Sequence, residues 1–262
     1  MNLKVITLNC FDSPLSSKRT VRINHLISEV IKLKADVICF QELIFLKRVK
    51  RIAKVFENNG YYTFTTPGKR INRGGLFFAS RFPIVSGEYK KYKNQATLFS
   101  LQLSDRVLKK GYQKVTLEIE GKKMTVVNTH LVSLYKNVSP KERKILLKQF
   151  SELLEALKVE GESTIVAGDF NIEFTESIYR ELDEKTNLYD PLRDENLVTV
   201  SKENSQRKNF YKIKRDKRLD YILISKDLKY IGYELILEDL YRLNKKNIHL
   251  SDHFGLMMEV VC

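Results

Sequence analysis

Alternation of apolar and polar positions divides the chain into strands and helices that follow one another closely. KVITLNC, residues 4–10, reads as a strand, and residues 18–34 place Ile23, Leu26, Ile27, Val30 and Ile31 at helical spacing. DVICFQEL (36–43) is an apolar run closing on polar residues, a buried strand, and the basic helix after it runs to about Asn59, where an Asn-Gly pair stops it. Strand-like runs follow at 61–66, 75–80, 97–103, 112–120 and 123–131, with Glu120-Gly121-Lys122 as a hairpin turn, so the middle of the chain reads as antiparallel. A second long helix spans about 140–160 and puts Leu146, Phe150, Leu153 and Leu157 on one stripe. STIVAGDF (163–170) is again a strand; a helix to about 185, a polar loop and strands near 219–224 and 230–237 complete the pattern. No linker composition and no repeat interrupts it, so residues 1–262 read as one α/β domain with mixed sheets. The polar stretch 201–218 is the longest expected loop, a length associated with function or mobility in compact domains.

Composition narrows the class. The three cysteines, Cys10, Cys39 and Cys262, are an odd set without metal-ligand spacing, and they read as reduced core or terminal residues. That favours a reducing compartment, here the cytoplasm. MNLKVITLNCF lacks the basic and long apolar regions of a signal peptide, and no apolar stretch approaches the roughly 20 residues of a membrane span, so a soluble monomer is expected. The net charge of +14 sets up a field that concentrates polyanions, with nucleic acid and anionic membrane surfaces as the two candidates; a lysine-rich solvated surface is the plain alternative.

Polar residues stand at strand ends in several distant segments: Asn9 in TLNC, Glu42 in FQEL, His130 in NTHL, Asp169 and Asn171 in GDFN, Asp220 in RLDYIL, and Asp252-His253 in LSDHFG. Strand ends are where α/β folds gather their sites. Singly, each has a structural explanation: Asn9 as a strand terminator, Asp169 or Asn171 as a turn or cap residue, Asp220 as a partner of Arg218. Together they form a set suited to phosphate chemistry. A phosphodiester repels nucleophiles, so its hydrolysis needs positive charge, an activated water and a stabilised leaving group. Hard oxygen ligands such as carboxylates and amide oxygens suit Mg²⁺ or Mn²⁺.

In this order, TLN, QE, SRFPI, NTHL, GDFN, LDYIL and SDH resemble the endonuclease/exonuclease/phosphatase superfamily with its DNase I-like fold, over almost the whole chain. The resemblance implies a four-layer α/β sandwich, two packed mixed β-sheets flanked by helices, with the site at one end. It implies that Asn9, Glu42 and Asp252 hold the metal, and that His130, Asp169, Asn171, Asp220 and His253 are catalytic. His253 becomes the general base or phosphate-stabilising cation, oriented by Asp220. Arg81 in SRFPI is a candidate phosphate contact, with a fold-holding ion pair as the equal alternative.

His130 in NTHL resembles the branch of DNase I, sphingomyelinases and deadenylases rather than abasic-site endonucleases, and KRLDYIL departs from the inositol polyphosphate 5-phosphatases. Ser104 to Tyr112 resembles the neutral and bacterial sphingomyelinases, in which an Asp and a Lys five positions apart precede this strand pair; Asp105 and Lys110 match, with Lys109 as an alternative to Lys110. There the Lys reaches the substrate phosphate and the Asp controls where it points. The aromatic hairpin and membrane-spanning helices of some members are not found in this sequence. The segment Arg207 to Arg218 interleaves basic and aromatic residues before Asp220, and Lys208 and Lys212 are candidate grips on a nucleic-acid backbone, or merely a solvated loop. The expectation is a Mg²⁺-dependent phosphodiesterase, sphingomyelinase C-like, with an endo- or exonuclease acting on DNA or RNA as the alternative. Peripheral contact with an anionic membrane would rest on charge; the basic helix with Lys47, Arg48, Lys50, Arg51 and Lys54 could extend the nucleic-acid track of 207–218 or equally meet anionic lipid.

Overall fold

The computed structural model describes residues 1–13, 16, 18–96, 107–134, 139–157, 163–207 and 213–262. Fourteen strands and four helices are assigned among them. The first half runs β1 (Asn2–Asn9), α1 (Arg19–Lys32), β2 (Val37–Gln41), α2 (Leu46–Asn58), β3 (Tyr62–Pro67), β4 (Asn72–Ser80), β5 (Ile84–Lys91), β6 (Gly111–Ile119) and β7 (Lys122–His130). The second half runs α3 (Pro140–Ala156), β8 (Ser163–Asp169), α4 (Glu176–Lys185), β9 (Leu188–Tyr189), β10 (Asp220–Ser225), β11 (Lys229–Ile236), β12 (Tyr241–Leu243), β13 (Lys246–Ile248) and β14 (Gly255–Val261).

Two six-stranded mixed sheets form, in the orders β11-β14-β1-β2-β4-β3 and β5-β6-β7-β8-β10-β9; β12 and β13 make a separate hairpin. The period of two along each strand decides which core a side chain joins. Leu3, Val5, Val37, Cys39 and Phe78 of the first sheet meet Val115, Val126, Ile165, Ala167 and Ile222 of the second in the central layer. The alternate positions Ile6, Leu8, Ile38 and Phe40 pack under α1 and α2, and Val127, Val166, Tyr221 and Leu223 pack under α3 and α4. The result is the expected four-layer sandwich. Ser139 caps α3 through a reciprocal capping box with Glu142, with Pro140 in the first turn. Glu120 (φ 50°) and Gly121 (φ 75°) make the tight turn between β6 and β7.

Four strand regions carried no sequence expectation. One is the two-residue β9, which falls where a polar loop was expected. IVSGEYKK forms the edge strand β5, and its exposed, charged character hides any alternation. β12 and β13 have three residues each, too few to show a period, and β14 continues directly from the SDH motif. The strand expected at 97–103 lies outside the described residues.

Candidate functional site

Following the inward-facing series along each strand shows how the site arises. On β1 the series is Leu3, Val5, Thr7, Asn9; on β8 it is Ile165, Ala167, Asp169; on β10, read backwards, Ile224, Ile222, Asp220. At one end of the sandwich, polar side chains thus replace apolar ones at positions the pleat already aims between the sheets. Pairing register aligns them. His130 of β7 stands beside Asp169 of β8 in the parallel pair, and Asp169 stands opposite Asp220 in the antiparallel one. β7 and β8 can approach this closely because residue 168 is glycine: a Cβ there would lie 2.1 Å from the Thr129 carbonyl oxygen.

Beneath this end, Gln41 Nε2 donates to Asn128 Oδ1 at 2.9 Å, and Asn128 Nδ2 reaches the Phe40 and Phe77 carbonyls and Gln113 Oε1 at 3.0–3.2 Å. This buried amide layer satisfies its polar atoms and ties the sheets together below the site.

Asp169 is the hub. Its Oδ1 accepts from the Asn171 backbone N–H at 2.9 Å, and its Oδ2 accepts from Asn9 Nδ2 at 2.9 Å and lies 3.3 Å from His130 Nε2 and 3.8 Å from His253 Nε2. Burial alone would raise its pKa, but the two imidazoles and Asn9 outweigh burial and hold it well below the usual carboxylate range. His253 Nδ1 is 2.8 Å from Asp220 Oδ2. Burial works against a charge on this ring, yet Asp220, Asp169 and Asp252 together raise its pKa to about 9. Burial pushes Asp220 upward against the pull of His253. At Nε2 the demands conflict: Arg207 Nη2 stands 2.9 Å away, and only an unprotonated Nε2 accepts from it. The carboxylates favour the imidazolium, and the guanidinium favours the neutral ring.

Lys110 is 1% exposed, and its Nζ lies 2.7–2.8 Å from the two ring nitrogens of His130. Lys109 is exposed, so Lys110 is the lysine turned inward. Asp105, Lys208 and Lys212 lie outside the described residues.

Glu42 leaves β2 with φ 57°, and Gly75 lies so near that a Cβ on it would meet the Glu42 backbone at 3.3 Å. Asp12 fixes the turn after Glu42, its Oδ2 accepting from the Ile44 and Phe45 N–H groups at 3.3 and 3.5 Å, with Arg48 on its other oxygen. The Glu42 carboxylate has no hydrogen bond or ion pair among the described residues, and Asp252 Oδ1 is buried without a hydrogen-bond partner. The Glu42 carboxylate and the one free oxygen of Asp252 are hard donors of the kind a divalent cation takes. A different trio, Asp169, Asp220 and His253, offers ligand atoms within 4.8 Å of one another. Asp169 Oδ2, Asp220 Oδ2 and both ring nitrogens of His253 are engaged in carboxylate–imidazole contacts, although Asp220 Oδ1, like Asp252 Oδ1, is buried without a hydrogen-bond partner. Glu42 and Asp252, which no imidazole engages, are the better holders. Asn9 gives its amide to Asp169, and its Oδ1 accepts from Phe11 N at 3.0 Å, so here it orients Asp169. Asn171 adopts φ 54° and spends its Nδ2 on the Leu131 carbonyl at 3.0 Å.

Arg81 is not brought to the site. It follows the end of β4 that pairs with the start of β2, away from Glu42, and its guanidinium stacks 4.5 Å over Tyr61 while its N–H binds the Asp36 carbonyl. Arg218 is not the partner of Asp220 either; it binds Asp190 at 2.8 Å. Three contributors carried no sequence expectation of a role here. They are Asp12, the amide layer, and Arg22, whose buried guanidinium donates to the carbonyls of Cys10, Phe11 and Leu250 and so clasps the segments after Asn9 and before Asp252. Asp12, three residues after Asn9, was the most legible of them.

Carboxylates, amide, imidazoles and one buried lysine, converging at the end of a two-sheet sandwich, define a hydrolase of phosphoric esters. The chain belongs to the Endonuclease/Exonuclease/phosphatase family, whose model matches residues 6–253. It is 25% identical to the inositol phosphosphingolipids phospholipase C of Schizosaccharomyces pombe, over 97% of this chain and 67% of that protein. Among solved structures it resembles Staphylococcus aureus beta toxin, a F277A, P278A mutant with bound magnesium ions, with a TM-score of 0.74 at 18% identity over 98% and 99% of the two chains. It also resembles D. rerio TDP2 complexed with a single-strand DNA product, with a TM-score of 0.76 at 18% identity over 100% and 99% of the two chains. At such identities these structures show the shared fold.

Proposed function

We propose that this chain is a Mg²⁺-dependent phosphodiesterase that cleaves a phosphosphingolipid in the manner of a phospholipase C, as a sphingomyelinase does. The observation that carries the reading is Lys110, buried against His130 at the catalytic end. A lysine kept from solvent beside an imidazole is a placed positive charge for a phosphate oxygen. It comes from the segment that resembles sphingomyelinases, and the similarity to a phosphosphingolipid phospholipase C points the same way.

His253, fixed by Asp220, presents Nε2 for the proton exchanged with water, and Asp169 with Asn9 orients that water. His130 and Lys110 face the phosphate from the second sheet. Glu42 and Asp252 would hold Mg²⁺, which would supply Lewis-acid stabilisation of the developing charge.

The test is Mg²⁺-dependent turnover of sphingomyelin vesicles, inositol phosphosphingolipid vesicles, single- and double-stranded DNA and RNA, with Glu42→Ala protein as the contamination control. Release of the phosphorylated headgroup alone supports the reading. Selective degradation of nucleic acid overturns it in favour of a nuclease.

A further inference from the structure

Residues 204–206 are pinned to the segment that leads into Asp252. Asn204 Nδ2 donates to the Ser251 carbonyl at 3.1 Å, Ser205 N to His249 Nδ1 at 2.9 Å, and Gln206 Nε2 to the His249 carbonyl at 3.0 Å. Arg207 therefore reaches the mouth of the site from a fixed base. Its Nε donates to the Asp252 carbonyl at 3.1 Å, and its Nη2 lies 3.0 Å from Asp252 Oδ2 and 2.9 Å from His253 Nε2. The side chain is 14% exposed, so it borders solvent while covering the site. Since Asp220 occupies Nδ1, Nε2 is the ring atom left to face a substrate. One guanidinium thus covers the working edge of His253 and the carboxylate that fits a cation.

We propose that Arg207 is a substrate-contacting residue that also acts as a latch in competition with a divalent cation for Asp252: its guanidinium holds Asp252 and His253 Nε2, and gives them up to turn its donors to a non-bridging phosphate oxygen when a cation and a phosphodiester bind. The phosphate role rests on the phosphodiesterase reading; the latch does not. A planar guanidinium suits both states, because carboxylate and phosphate oxygens present the same bidentate geometry to its fork. The exchange replaces one charge-assisted contact with another, so release of the latch is coupled to arrival of the ligands. A purely structural arginine would lock the loop and leave metal affinity alone.

The experiment uses Arg207→Gln and Arg207→Lys in the full chain, with two readouts: Mn²⁺ binding to metal-free protein, followed by the electron paramagnetic resonance signal of free ion, and Mg²⁺-dependent hydrolysis of bis(4-nitrophenyl) phosphate. With no guanidinium competing for Asp252, Arg207→Gln should bind Mn²⁺ about threefold more tightly or better, while its kcat/KM falls about tenfold to a hundredfold. Arg207→Lys keeps the charge without the fork and should lie between on both measures; it also serves if the glutamine variant fails to fold. Unchanged or weakened Mn²⁺ binding overturns the latch, and unchanged kcat/KM overturns the phosphate contact. If the unaltered chain hydrolyses no phosphodiester, the phosphodiesterase reading falls with the phosphate contact, and the Mn²⁺ titration alone decides the latch.

Discussion

Asn9 and Asp169 lie 160 positions apart in sequence, and Asn9 Nδ2 donates to Asp169 Oδ2 at 2.9 Å across the gap between the two sheets. This bond closes the sandwich at the end that holds the candidate site and aims the carboxylate that both imidazoles approach. Asn9→Ala should therefore cost about 1–3 kcal/mol of stability by leaving a buried carboxylate short of a donor, and lower turnover about tenfold or more. Asn9→Asp, which sets a second anion against Asp169, should be worse on both counts. Urea unfolding and phosphodiester turnover check this; an aspartate variant as stable and active as the parent would show that the bond orients nothing.

The Asp220–His253 pair predicts a loss of rate without a comparable loss of fold. Asparagine at position 220 keeps the size of the side chain but no longer stabilises the imidazolium or enforces the same tautomer. Asp220→Asn should lower kcat by a factor on the order of 10² to 10⁴. Its thermal unfolding should stay within a few degrees of the parent. A kcat within threefold of the parent would remove Asp220 from the proposed mechanism.

Asp169 makes stability depend on acid. Its folded-state pKa is depressed by the imidazoles and Asn9, so its contribution is present above the ordinary carboxylate pKa and lost as pH falls through the folded value. The window begins below about pH 4, where the unfolded carboxyl takes its proton. Asp169→Asn should flatten the fall in unfolding free energy between pH 5 and the acid limit of refolding, measured by urea titration at each pH. Parallel curves for parent and variant would contradict the depressed pKa.

The architecture was legible in the sequence because its strongest signals are direct consequences of burial: the apolar runs of β1, β2 and β8 come from burial on two faces, and the stripes of α1 and α3 from burial on one. The site was legible for a related reason. Asn9, Asp169 and Asp220 break an apolar series at its last step, where a buried polar side chain costs stability unless it is partnered. Arg81 misled because a motif position says nothing about which end of a strand it occupies; β4 runs antiparallel to β2 and carries Arg81 away from Glu42. Arg22 was hidden for another reason: it sits in an amphipathic helix, and no local period marks the carbonyls it meets across the fold. Arg207 was legible only as the start of the basic segment 207–218, with nothing local to mark Asp252 and His253 as what it meets.

Gly168 supplies the sharpest test that the sheet register, and not the side chains alone, assembles the site. It pairs with Thr129 one step before Asp169 pairs with His130, in the parallel ladder between β7 and β8. Alanine there would place a Cβ 2.1 Å from the Thr129 carbonyl oxygen, an overlap with backbone that no rotamer change relieves. The strands must separate, which strains the ladder and moves Asp169 away from His130. Gly168→Ala should cost at least about 1–3 kcal/mol, the range for overpacking a tight interior, or roughly 2–12 °C in Tm for a chain of this size. Turnover should fall further than the loss of folded protein explains. Gly232→Ala is the control: a Cβ there meets nothing within 4 Å, and the variant should match the parent. A Gly168→Ala protein of parental Tm and rate would mean that β7 and β8 separate at this step without cost, and that His130 and Asp169 do not depend on their approach for the 3.3 Å contact.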